Sequence, residues 1–314
     1  MRAPLLVLLV LLPALAQAAA PEGPRRDLVV LLKPGTSMDL PEGAVGLRLL
    51  DGFVVRDASP ALERALRGHD RVEAVVADEP LARTASPDPN LRLTRAEPAP
   101  GGVAGPLTGR GVTVAVVDSG IDAAHPDLLG RVKANVRLVD GRFLDAPGDA
   151  NGHGTHVAGI VAASGASSEG QWRGVAPEAA LVGIDISERF TTTSAILAYD
   201  WLYVHRADHD IRVVVNAWGR VGERRYDPDD PVVRAVDRLV DAGVVVLFSA
   251  SNHGPGPSTL SVESQNPRVV TVGAVDAAAR LMAYSSRGPV AGAKGDAWVK
   301  PDLVAPGEDV VGLR

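Results

Sequence analysis

Several polar residues stand where acid–base chemistry could be done. Asp118 follows the apolar run 112–117 (VTVAVV), Asn216 follows 211–215 (IRVVV), and Asn252 follows 244–251 (VVVLFSAS). His153 opens the helical part of 151–163 (NGHGTHVAGIVAA), in which Val157, Ile160 and Val161 recur at helical spacing. An imidazole in the first turn of a helix is held rigidly yet reaches solvent, and its ordinary pKa near ~6.5 suits a general base. A carboxylate such as Asp118 can orient that ring and stabilise its charged form, and an Asn amide is a fixed donor for a developing oxyanion. Each residue also has a plainer role: a strand-ending Asp caps a turn, and an Asn satisfies loop backbone. The set lacks a nucleophile. With no Cys in 314 residues, thiolate catalysis, disulfides and Cys-ligated zinc are excluded.

The elements that must position these residues alternate from residue 112 onward. Strands are predicted over 112–117, 180–186, 211–215, 244–249 and 269–275, and helices from His153, over 193–205, and from the Asp230-Pro231 cap to the stop at Gly243. This is the pattern of a doubly wound α/β fold with a mostly parallel sheet, rich in Val, Ala and Leu and with only 4% aromatic residues. In such sheets sites lie beyond the carboxyl ends of the strands, where Asp118, Asn216 and Asn252 fall. The length suggests about two domains. Residues 26–83 read as a small α+β unit: a strand at 26–34, one or two over 45–55, a helix from Ser59-Pro60 to Gly68, and a strand at 71–78. Residues 84–110, rich in Pro, Gly and Ala, read as a linker, and 111–314 as the α/β domain. Arg2, the apolar run 5–12 and the small residues 16–20 (AQAAA) make residues 1–20 a signal peptide, which predicts export to the medium or periplasm. The run is shorter than the roughly 20 residues of a membrane anchor. A net charge of -6 without a basic stripe argues against a nucleic-acid partner.

The segments around these residues resemble the subtilisin-like serine peptidases, the S8 type. VAVVDSGIDAAHPDL is similar to that family's aspartate segment, NGHGTHVAGIVAA to its histidine segment, VVNAWG to its substrate-binding strand and SASNHG to its oxyanion segment. NPRVVTVGAVD, SSRGP and KPDLVAPG resemble its later landmarks. The resemblance implies an endopeptidase acting on polypeptides, with Asp118 and His153 as two members of the triad and Asn252 in the oxyanion hole. It implies that Ala217, Trp218 and Gly219 pair with substrate as an added strand and that Ser251 lies near the specificity pocket. The unit at 26–83 resembles the family's ferredoxin-like propeptide, an intramolecular inhibitor and chaperone ending near Leu81 to Arg83. No cofactor is required, and Asp127 matches a position that binds calcium in some members.

The sequence also departs from the family pattern. The serine normally follows the KPDLVAPG landmark in a GTSMA-like motif, and no such motif follows it before Arg314. The 314-residue chain alone is therefore expected to be inactive and, with one side of its sheet uncovered, poorly folded. The GTSM of residues 35–38 is a decoy, because Ser37 is followed by Asp and Pro rather than an apolar helix. Ala217 stands where the family often has Ser, and Ser251 where it often has Gly. Two rival functions fit the same residues: a catalytically dead pseudopeptidase that serves as a binding module, and a metallohydrolase built on His153, His156 and Asp118.

Overall fold

The computed structural model describes residues 24–83, 107–220, 225–290 and 299–313. The signal-peptide reading and most of the linker reading fall outside the described residues.

The N-terminal unit is an antiparallel sheet of β1 (Arg26–Leu32), β2 (Val45–Gly46), β3 (Gly52–Ala58) and β4 (Val72–Ala77), in the order β2–β3–β1–β4. This is the strand order of a ferredoxin-like α+β unit. Its one helix, α1 (Pro60–Arg67), starts as the sequence dictates: the Ser59 hydroxyl accepts the Leu62 N–H, Pro60 fills the first position and Gly68 ends it. Strand alternation divides the side chains between two faces. Leu28, Val30, Phe53 and Val55 pack with Leu66 of α1, while Val29, Leu31 and Val54 join the core of the larger domain.

β5 (Leu81–Arg83) then leaves this unit. The larger domain contains β6 (Thr113–Asp118), β7 (Val132–Val139), β8 (Arg142–Asp145), α2 (His153–Ala162), β9 (Ala180–Asp185) and α3 (Thr192–His205). It continues with β10 (Ile211–Asn216), β11 (Trp218–Arg220), α4 (Pro231–Asp241), β12 (Val245–Ser249), β13 (Val270–Val275) and β14 (Leu303–Pro306). Eight strands form one sheet in the order β14–β13–β12–β10–β6–β9–β7–β8, parallel throughout except for the β7–β8 hairpin at one edge.

The continuous apolar run of β6 serves both faces of this sheet: Ala115 and Val117 point into the core with α3 and α4, Val114 and Val116 into the core with α2. α3 is buried over almost its whole circumference, from Thr192 to Tyr199 and again at Leu202. A helix apolar all round needs cover on both sides. It has that cover, because the central sheet lies under it and the N-terminal unit packs over it. That unit is fixed by polar contacts at the N-terminal end of α3 and farther along it. The Asp78 carboxylate accepts the Thr193 N–H at 2.7 Å and the Thr192 hydroxyl at 3.0 Å, and Arg189 pairs with Asp27 at 2.8 Å. Farther along the helix, the Asp200 carboxylate takes the backbone N–H groups of Arg48 and Leu49.

Candidate active site

α2 starts at the carboxyl end of β6 because of a carboxylate the motif reading overlooked. Gly152 precedes the helix in a left-handed conformation and carries no capping side chain. Asp149 supplies the cap from three residues upstream. Its Oδ1 accepts the N–H groups of Asn151 (3.0 Å) and Gly152 (2.9 Å), and its Oδ2 the N–H (2.9 Å) and hydroxyl (2.8 Å) of Thr155. The signal was an Asp a few residues before a helix start, read too narrowly because Asn and Gly stood closer.

Gly154 lets the helix touch the strand end: a Cβ there would meet the Gly120 carbonyl oxygen at 2.1 Å. The Gly154 N–H donates to the Ser119 hydroxyl at 2.9 Å. These contacts bring His153 onto Asp118. Nδ1 lies 2.7 Å from each carboxylate oxygen, and Asp118 is fully buried. The Ser119 N–H also donates to Asp118, at 2.8 Å. A carboxylate on Nδ1 fixes the tautomer with its proton there, leaving Nε2 as the acceptor. Nε2 is buried and has no partner among the described residues. His156, one turn on, is differently employed: its Nε2 lies 3.3 Å from the Val310 carbonyl, and burial pulls its pKa below the ordinary value.

The two strand-ending amides part company. Asn216 is buried and satisfied at both ends, accepting the Tyr199 hydroxyl at 2.9 Å and donating to the Leu247 carbonyl at 3.0 Å. Asn252 is exposed, and with Ala217 and Ser251 it lines an apolar cleft of about 240 Å³. The walls of the cleft are Val157, Ile160 and Val161 of α2 and the ends of β10, β12 and β13.

β11 crosses this region beside β10 and pairs antiparallel with β5, with Trp218, Gly219 and Arg220 opposite Arg83, Ala82 and Leu81. The Leu81 N–H also donates to the Phe190 carbonyl at 2.8 Å, so the segment is gripped from both sides, and its leucine is buried. Trp218 contributes backbone to this ladder. Its fully buried indole points away, donates from Nε1 to the Val117 carbonyl at 3.0 Å and meets Phe248 edge-on.

Arg220 anchors an ionic cluster that the motif reading did not foresee. It is buried, with Nε on Glu263 at 2.6 Å and Nη1 on Asp230 at 2.7 Å and on Glu79 of the N-terminal unit at 3.5 Å. Burial works against its charge, but Glu263 and Asp230 outweigh it and raise the guanidinium pKa above its ordinary value. Asp230 also caps α4, accepting the N–H groups of Val232 and Val233.

Asp127 lies apart from these groups. Its Oδ1 accepts the Ser167 N–H at 2.7 Å and faces the Ser164 hydroxyl at 3.4 Å. Among the described residues there is no group of three or more metal-ligating side chains. His153, His156 and Asp118 do not form a group that could hold a metal ion. Ser37 is exposed in the N-terminal unit, where its carbonyl accepts Arg71 at 2.7 Å.

The chain is 41% identical over 222 residues to the serine protease AprX of Bacillus subtilis (strain 168), covering 66% of this chain and 49% of that protein. It is 32% identical over 209 residues to subtilisin E of the same organism, covering 65% and 48%. It thus spans about half the length of these curated relatives. Among solved structures, the S41 psychrophilic protease superposes with a TM-score of 0.54 at 30% identity, over 63% of this chain and 67% of that one. Sphericase superposes with a TM-score of 0.53 at 25% identity, over the same shares. A model of the subtilase family, peptidase S8, matches residues 109–313, and the chain belongs to that family of serine peptidases.

Proposed function

We propose that the protein is a secreted endopeptidase in which Asp118 and His153 act on a serine, and that residues 26–83 are its inhibitory propeptide. The observation that carries the catalytic reading is the state of His153: Nδ1 is clamped by a buried carboxylate, while Nε2 is buried without a partner. A buried polar atom left unpaired costs about 1–3 kcal/mol, a cost tolerated where the atom has work to do. A serine hydroxyl delivered to Nε2 gives up its proton there as its oxygen attacks the scissile carbonyl carbon. Asp118 stabilises the imidazolium so formed. The Asn252 amide donates to the carbonyl oxygen as it gains charge, and His153 then passes its proton to the leaving amine. Water repeats the cycle on the acyl-enzyme.

A further feature supports this reading. The β5–β11 ladder holds residues 81–83 in the extended form a substrate takes, which is how a propeptide tail blocks its own groove. Secretion rests on the leader at residues 1–20.

The test is to react the full-length gene product with a fluorophosphonate probe and map the label. The expected result is one labelled serine, unaffected by Ser37→Ala and lost in His153→Ala. Absence of labelling, together with absence of peptide hydrolysis by folded protein, overturns the reading in favour of a binding module.

A further inference from the structure

Ser251 combines two unfavourable features at one residue. Its φ is +89°, a conformation that side-chain-bearing residues avoid at a cost of roughly 1–2 kcal/mol and that glycine adopts freely. Its hydroxyl is buried and has no partner among the described residues. It immediately precedes Asn252 and lines the same cleft. Where the hydroxyl lies is told by Gly219: a Cβ on that glycine would meet Ser261 Oγ at 2.6 Å, Ser261 Cβ at 2.7 Å and Ser251 Oγ at 3.0 Å. Two hydroxymethyl groups therefore close the wall facing the middle of β11. The Ser261 hydroxyl is engaged with Ser264 at 2.9 Å, which leaves Ser251 with the free one.

The register of the ladder says which part of a peptide meets this wall. Leu81, Ala82 and Arg83 stand opposite Arg220, Gly219 and Trp218. A peptide continuing in that register puts its next residue opposite Ala217, which lines the same cleft as Ser251 and Asn252. That is the residue whose carbonyl Asn252 would polarise. We propose that Ser251 and Ser261 make its pocket shallow and polar, so that the enzyme cuts after small side chains, above all Thr and Ser, whose hydroxyl can pair with Ser251. The sequence following Arg83 is Thr84-Ala85-Ser86, three small residues of which two carry a hydroxyl. This inference rests on the peptidase reading.

The experiment uses the full-length enzyme and peptides that carry Leu-Ala-Arg-X before the cut, with X as Thr, Ser, Ala, Leu or Phe. For the wild type, kcat/KM with X as Thr or Ser exceeds that with Leu or Phe by about 10-fold or more, the discrimination a pocket of fixed depth supplies. Ser251→Gly and, separately, Ser261→Gly narrow the ratio of small to large X, and Ser251→Ala lowers Thr and Ser relative to Ala. A wild type that labels with fluorophosphonate and cuts best after Leu or Phe overturns the inference and leaves the peptidase reading intact. So do ratios that neither glycine variant moves. A folded protein that neither labels nor cuts any of the peptides overturns both.

Discussion

Replacing Asp149 by Ala tests whether the base is placed by its helix start. The substitution strips four hydrogen bonds, from the N–H groups of Asn151, Gly152 and Thr155 and from the Thr155 hydroxyl. Loss of an N-terminal cap costs about 0.5–2 kcal/mol, and removal of a negative charge from the positive end of a helix adds about 0.3–1 kcal/mol. Asp149 is half-buried, so water recovers part of this. A net loss of about 2 kcal/mol follows, which lowers Tm by roughly 4–8 °C in a domain of this size. The larger effect falls on turnover. His153 is the first residue of α2, and a displacement of the ring by about 1 Å costs on the order of 100-fold in rate. Differential scanning calorimetry and peptide hydrolysis by the full-length enzyme measure the two effects, with kcat falling far more than KM rises. Asp149→Asn keeps one acceptor oxygen and falls between. If Asp149→Ala melts within about 1 °C of the wild type and keeps kcat within about twofold, the Gly154–Ser119 contact alone sets the helix start and the reasoning fails.

Asn252→Ala is expected to lower kcat by about 10²–10³, the scale known for such a donor in subtilisins, and Asp118→Asn by about 10⁴; initial rates on a peptide substrate check both. Arg220→Met strands the buried Glu263 carboxylate and costs about 3–5 kcal/mol in denaturant unfolding, of which the double variant with Glu263→Met recovers most. Glu178 is hydrogen-bonded by Arg110 and Thr108, which lower its pKa from 4.5 to about 2. A depressed carboxylate contributes stability above its unfolded pKa and loses it as pH falls through the folded one, so this contribution disappears between pH 4.5 and about 2. Arg110→Ala should flatten that part of the Tm-versus-pH curve, and an unchanged slope would count against it.

The elements with clean periodicity were legible in the sequence. β6 and β12 are close to continuous apolar runs, β10 and β13 are apolar but for Arg212, the strand-ending Asn216 and Thr271, and α4 has both a cap and a stop. The β7–β8 hairpin was not foreseen, although Asp140 and Gly141, with φ of +46° and +79°, form the turn such a dipeptide favours. β7 alternates Val132, Ala134, Val136 and Leu138 with Lys133, Asn135 and Arg137, a period of two that a search for continuous apolar runs misses. β5 and β11 are three residues each, too short for any period, and their pairing joins segments more than a hundred residues apart, which no local pattern reports. In the site, the contact between His153 and Asp118 was legible because one opens a helix and the other ends a strand with a clear pattern. Asn216 looked equivalent to Asn252, and only the Tyr199 hydroxyl and the Leu247 carbonyl separate a core amide from a free one.

The indole of Trp218 joins the strand that holds a peptide to the residue next to Asp118, through one hydrogen bond to the Val117 carbonyl. If Trp218 and Asp118 act as proposed, recognition and catalysis are mechanically coupled on that side of the groove. A substitution in β11 that changes how a substrate is held also pulls on the carboxylate clamping the base. For the proposed preference, the wall formed by Ser251 and Ser261 is a freer route, because both residues lie outside the strand that ends in Asp118. Selection for new substrates, in nature or in the laboratory, should accumulate changes in the segment from 249 to 261 and leave Trp218 alone.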